Sequence, residues 1–298
     1  MLVCFGALVS GCQAHLDSPL GTVRGESPSS NGSLEDFVRV RGSLNPDEDV
    51  YFYFHGEIFL VERADPTASP KRLFRKPFLR IEGVNIARFV PDGEGGFRML
   101  SREVAYYVDE SGQVLDCIKL DWMKNPVSVL HIANDPVNFT LSAPPSHMLG
   151  EMKVYVVNAS MDYRSPLSDL NDVEFLGGKT YQSTELFQFY APKDELDSDK
   201  QSVAAWMSWS RVGQLLPWMR APTEPHRSLI YHSRGFKVLD GYDGLPARLR
   251  ERIEARNPAF DSAPRNELGG AGNQTSWSVF KTKLSDGLYE SECRKFED

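Results

Sequence analysis

The sequence predicts a mainly β protein, built as an antiparallel β-barrel or a strongly curved sandwich with one helix in the C-terminal region. Three observations point there. Short runs rich in Val, Ile, Phe and Tyr recur from Leu34 onward, and turn-forming clusters separate many of them. The runs follow one another without an intervening helical pattern, so an antiparallel arrangement is expected rather than alternating β and α units. Only one stretch, late in the chain, carries a persuasive helical stripe.

Taken in order, residues 1–11 read as a signal segment. MLVCFGALVS is an apolar run of about ten residues, shorter than the roughly 20 that span a bilayer. Val9-Ser10-Gly11-Cys12 looks like a bacterial lipobox, with Cys12 as the lipidated first residue, although no Lys or Arg precedes the run. Residues 12–33 are rich in Ser, Gly and Pro and read as a tether. A single domain is expected over 34–298.

Strands are expected at 37–42, 50–61, 78–90, 97–109, 114–120, 128–132, 152–163, 181–190, 202–219, 228–238 and 276–283. Between them stand Asn45-Pro46-Asp47, Asp92-Gly93-Glu94-Gly95-Gly96 and Glu110-Ser111-Gly112. The stretch 106–120 reads as a hairpin closed by DESGQ. The helix follows Pro246, which suits a first turn; Leu245, Leu249 and Ile253 recur every four residues, and Asn257-Pro258 ends it.

Of 298 residues, 41% are hydrophobic and 25% charged, with a net charge of −8. No basic face is visible, so nucleic-acid binding is set aside. Cleavage before Cys12 would leave Cys117 and Cys293, a pair that an oxidising compartment permits to join; their spacing does not say whether they meet. No CxxC, HExxH, GxSxG or phosphate-binding loop occurs. Gly269-Gly270-Ala271-Gly272 reads as a loop, and His226 and His232 lack a third ligand nearby. Neither a metal nor a cofactor is expected.

The phrases RVRGSL (39–44), EGVNIARF (82–89), HIANDPVN (131–138), YQSTELFQFYAP (181–192), SWSRVGQLLPWM (208–219) and NQTSWSVF (273–280) occur in that order. Together they resemble the bacterial and fungal family called domain of unknown function 1838. The resemblance covers about residues 35 to 283. It implies a shared fold and supplies no catalytic residues.

Candidate site residues come from splitting strands by their period of two. Val50, Phe52, Phe54, Ile58 and Leu60 share one face of the first long strand and read as plain core. Tyr51, Tyr53, His55, Glu57 and Phe59 share the other, and read as the lining of a pocket. Tyr181, Ser183, Glu185, Phe187 and Phe189 form a similar face; Met207, Trp209 and Arg211 form a third. A carboxylate among aromatics calls for a cation, and Arg211 offers a permanently charged, bidentate fork.

Two functions are expected from this pattern. The first is an envelope-tethered or secreted lipoprotein whose barrel binds a small apolar or aromatic molecule through Tyr51, Tyr53, Glu57, Tyr181, Phe187 and Trp209, with contact to the membrane only by the lipid anchor. The alternative is a cofactor-independent isomerase, cyclase or lyase in which His55 or Glu185 moves a proton and Arg211 holds an anionic group. Convergence of those three in one cavity would separate the two.

Overall fold

Ser33 opens a helix where a strand was expected. Its hydroxyl accepts the Asp36 N–H at 2.9 Å, and α1 (Leu34–Arg41) follows with Glu35 and Asp36 in its first turn and Arg39 and Arg41 in its last. The cap and the charge order suit the helix dipole and outweigh the strand preference of Val38 and Val40. This computed structural model describes residues 33–62, 76–170, 178–222, 227–265, 275–287, 289 and 293. The expected signal segment, most of the tether, Cys12, His226 and the 269–272 loop lie outside the described residues.

The strands are β1 (Val50–Glu62), β2 (Leu79–Pro91), β3 (Phe97–Val108), β4 (Cys117–Ile118), β5 (Val127–Ser128), β6 (Ile132–Asn134), β7 (Phe139–Thr140), β8 (Ser146–Leu149), β9 (Met152–Arg164), β10 (Thr180–Pro192), β11 (Trp206–Gly213) and β12 (Arg227–Val238). A short helix, α2 (Lys193–Leu196), follows β10, and α3 (Ala247–Arg256) and α4 (Ser276–Ser285) come after β12. Ten strands form one sheet in the order β6-β3-β2-β1-β12-β11-β10-β9-β8, with β7 also on β3, while β4 and β5 pair separately. Every pairing is antiparallel. The expected barrel closure does not occur: β6 and β8 end the strand order and do not pair with each other among the described residues.

Three further expectations change. The run 202–219 is a strand only over Trp206–Gly213; Pro217 then starts a 3-10 turn, since its fixed φ and missing N–H end a ladder. The run 276–283 is helical because Thr275 and Ser278 form a reciprocal capping box. At 106–120 the turn forms, with the Asp109 N–H donating to Gln113 O at 2.9 Å. Its return strand contributes one bridge, Val108 to Val114, and β4 turns to β5 instead.

The sheet buries apolar side chains on both faces. On one face Phe52, Phe54 and Ile58 join Tyr155, Phe187, Phe189, Trp209 and Tyr231 in the main core. On the other, Tyr51, Tyr53, Val84, Ile86 and Tyr106 pack beneath Leu245, Leu249 and Ile253. The helical stripe therefore covers β1 to β3, which explains why β1 carries aromatics on both sides. Glu82 fastens the cover: it accepts from Tyr53 Oη at 3.0 Å, from Arg248 at 3.1 Å and from Arg252 at 2.5 Å. Cys117 and Cys293 form a disulfide that ties β4 to the C-terminal region.

Candidate functional site

The polar centre begins with two residues placed opposite each other. Glu185 of β10 and Arg211 of β11 are direct partners in the antiparallel register, and both are about 1% exposed. Arg211 Nε lies 3.5 Å from Glu185 Oε1, while Glu185 Oε2 accepts from the Trp209 indole N–H at 3.2 Å. The guanidinium carbon also lies 5.1 Å from the Tyr231 ring centroid and 5.7 Å from that of Tyr181. Burial pushes the Glu185 carboxyl up to about 7, and the charge of Glu103 pushes the same way. The Trp209 indole N–H works against that rise, because a hydrogen bond to the ionised carboxyl favours that form.

His55 does not join them. It is exposed on the opposite face of the sheet, across from Arg234, so the three expected catalytic groups do not converge. Tyr51 and Tyr53 pack under α3 rather than lining an interior pocket. Glu57 sits in an open polar groove with His55, Arg80, His232 and Arg234. The two faces of β1 are thus exchanged relative to the expectation from sequence. Both begin with large aromatics, and period-two spacing does not say which side holds the cavity. Tyr181 is buried in the main core beside Trp277, 5.2 Å between centroids, and not in the cavity wall.

The cavity lies on the Phe52/Phe54 side and has a volume of about 150 Å3. Its walls are aromatic: Phe52 and Phe54 from β1, Phe187 and Phe189 from β10, Trp209 from β11 and Phe37 from α1. Phe187 stacks between Phe189 and Trp209, with interplanar angles of 8° and 10°. Phe52 and Phe54 meet this stack edge-on, at 89° to Phe189 and 78° to Trp209. Two of the expected ligand contacts, Phe187 and Trp209, are therefore in the wall. Trp209 also links the cavity to Glu185 behind it.

One end of the cavity is polar, and its residues were not singled out from the sequence. Asn85 of β2 and Glu103 of β3 face each other in register, and Arg41 reaches them from the end of α1. Arg41 Nη2 donates to Asn85 Oδ1, and its guanidinium carbon lies 5.2 Å from the Phe52 ring centroid. Arg41 Nη1 and Asn85 Nδ2 are buried and have no hydrogen-bond partner among the described residues. Burial lowers the Arg41 pKa to about 10, and the charge of Glu103 opposes that shift. Asn134 Nδ2 donates weakly to Glu103 Oε2 at 3.5 Å. A weak signal did exist, because Asn85 stands between Val84 and Ile86 within EGVNIARF; Arg41, beside Arg39 and Ser43 in RVRGSL, carried none. Among the described residues, no cluster of three or more His, Cys, Asp or Glu could hold a metal ion.

Sheet and site define a β protein with an interior, aromatic-walled cavity that is polar at one end. The family model described as "Protein of unknown function (DUF1838)" matches residues 47–284, and the chain belongs to that family. Arg41 and Phe37 precede the matched span. No curated protein matches the chain.

Proposed function

We propose that the protein is an envelope-tethered lipoprotein that binds a small apolar or aromatic molecule of about one ring in this cavity. The observation that carries the reading is the wall of stacked and edge-on rings around about 150 Å3. An apolar cavity of about that size holds benzene, so a single ring matches it and a fused pair does not. The sheet wraps around the ligand in this reading. Phe52 and Phe189 approach to 5.7 Å between centroids although β12 and β11 stand between their strands. In a flat sheet those strands would be about 14 Å apart, at roughly 4.8 Å per step.

The lipobox at Cys12 and the polar tether support attachment to a bacterial cell envelope, with release as a secreted form the variant of that reading. The Cys117–Cys293 bond accords with an oxidising compartment. No helix among the described residues is long and apolar enough to cross a membrane. Cys12→Ala should move the protein from the membrane fraction to the soluble one; unchanged fractionation would remove the anchor from the reading.

A second reading keeps the cofactor-independent isomerase or lyase but relocates its acid/base group. Glu103 lines the cavity beside two donors, whereas Glu185 sits behind Trp209 and His55 is outside. Solvent deuterium appearing at carbon next to a bound carbonyl, and lost in Glu103→Gln, would favour it.

For the binding reading, toluene should raise the melting temperature of the full chain and naphthalene should not. Native mass spectrometry of freshly purified protein should show a co-purifying mass of that size. A melting temperature unmoved by saturating toluene would sink the proposal.

A further inference from the structure

The polar end of the cavity specifies more than size, and the ligand class it selects rests on the reading of the cavity as a ligand site. Arg41 has only donors, so the atom of Asn85 that meets Arg41 Nη2 is the carbonyl oxygen Oδ1. That bond fixes the amide orientation and leaves the Asn85 NH2 group as a donor. Beside it, the second terminal nitrogen of the same guanidinium, Nη1, is also a donor. Both are buried, both belong to residues lining the cavity, and neither has a partner among the described residues. Buried donors left unmade are costly, and two such donors on hydrogen-bonded neighbours suit one oxygen with two lone pairs.

Charge then narrows the class. Glu103 stands across from Asn85 in the β2–β3 register, and its carboxylate acts on the Arg41 guanidinium. The polar end therefore already holds an anion beside its cation. A ligand carboxylate would bring a second negative charge next to Glu103 in an aromatic-walled space, where unbalanced charge is strongly disfavoured. A neutral carbonyl oxygen satisfies both donors and adds no charge. We propose that the ligand is a neutral one-ring carbonyl compound, an aldehyde, ketone or amide, whose oxygen accepts from Arg41 Nη1 and Asn85 Nδ2 while its ring lies among Phe52, Phe187 and Trp209.

Calorimetric titration of the full chain with acetophenone, benzamide, benzoate and ethylbenzene tests this. Acetophenone should bind at least about tenfold more tightly than ethylbenzene, a gap of one modest hydrogen-bonding increment, and more tightly than benzoate. The carbonyl stretch of bound acetophenone should move to lower frequency than in an apolar solvent. Asn85→Leu should shrink the ratio of acetophenone to ethylbenzene affinity. Because the four ligands are first compared on the wild-type protein, the test holds even if that variant does not fold. Equal affinity for acetophenone and ethylbenzene would overturn the carbonyl assignment and leave the cavity reading standing. Tightest binding by benzoate would overturn the charge argument and with it the neutral class. Binding by none of the four would overturn both the assignment and the reading beneath it.

Discussion

Glu185 and Arg211 sit about 1% exposed beside a largely apolar core rich in aromatic rings, so each depends on the other more than a surface pair would. Breaking a buried pair from one side leaves an uncompensated charge and costs about 3–5 kcal/mol. Arg211→Met should therefore lower the denaturation midpoint strongly at pH 8, and adding Glu185→Gln should recover part of the loss. The penalty should be smaller at pH 5.5, where Glu185, raised to about 7, carries its own proton. For the wild type the sign is fixed by the direction of the shift. Below about 4.5 the carboxyl is protonated folded and unfolded. Between there and about 7 the folded state holds the proton more firmly, so its contribution to stability falls as pH rises. Melting curves from pH 5 to 8 should show this decline in the wild type and a flatter profile in Glu185→Gln. The pairing was legible because a carboxylate and a guanidinium both interrupted aromatic faces. The position of His55 was not, because a residue on the same strand as cavity aromatics points away from them at every second place.

The helix over β1 to β3 behaves as a lid on the second core rather than as a surface ornament. Leu249 and Ile253 are fully buried against Val84, Ile86 and Tyr106, and Glu82 holds Arg248 and Arg252 from below. Leu249→Ala should cost about 2–5 kcal/mol, the range for removing a buried leucine side chain. A melting temperature within a degree of the wild type would contradict this packing. The long strands and this helix could be read from spacing, because each repeats its pattern over ten residues or more. The helices α1 and α4 could not: they carry valines, and neither shows the plain four-residue recurrence of Leu245, Leu249 and Ile253. Only the cap at Ser33 and the Thr275/Ser278 box distinguish them, and both are signals of single residues rather than of periodicity. The missing closure of the sheet has a similar origin, since strand count and spacing do not specify which edges meet.

Across the whole molecule, one covalent bond joins positions 176 residues apart. A loop of that length loses much of its unfolded freedom when closed, and removing such a bond costs about 2–5 kcal/mol in small secreted domains. Cys293→Ser, or dithiothreitol on the wild type, should lower the melting temperature by several degrees, and equal melting with and without reductant would show the bond to be dispensable. The sheet has its own long-range join. β1 pairs along its length with β12, Tyr51 with Val238 and Glu62 with Arg227, so the middle of the sheet is a seam between early and late parts of the chain. During synthesis the β1–β2–β3 meander emerges with one side of β1 unpaired, and it stays so until residue 238 has left the ribosome. An unpaired strand rich in Phe and Tyr invites pairing with other chains. A nascent chain halted before Arg227 therefore exposes an adhesive edge, and contacts of such long sequence separation make assembly slow. A high concentration of nascent chains should push this protein towards aggregates that are seeded at β1, and fewer chains made at an unchanged elongation rate should reduce them.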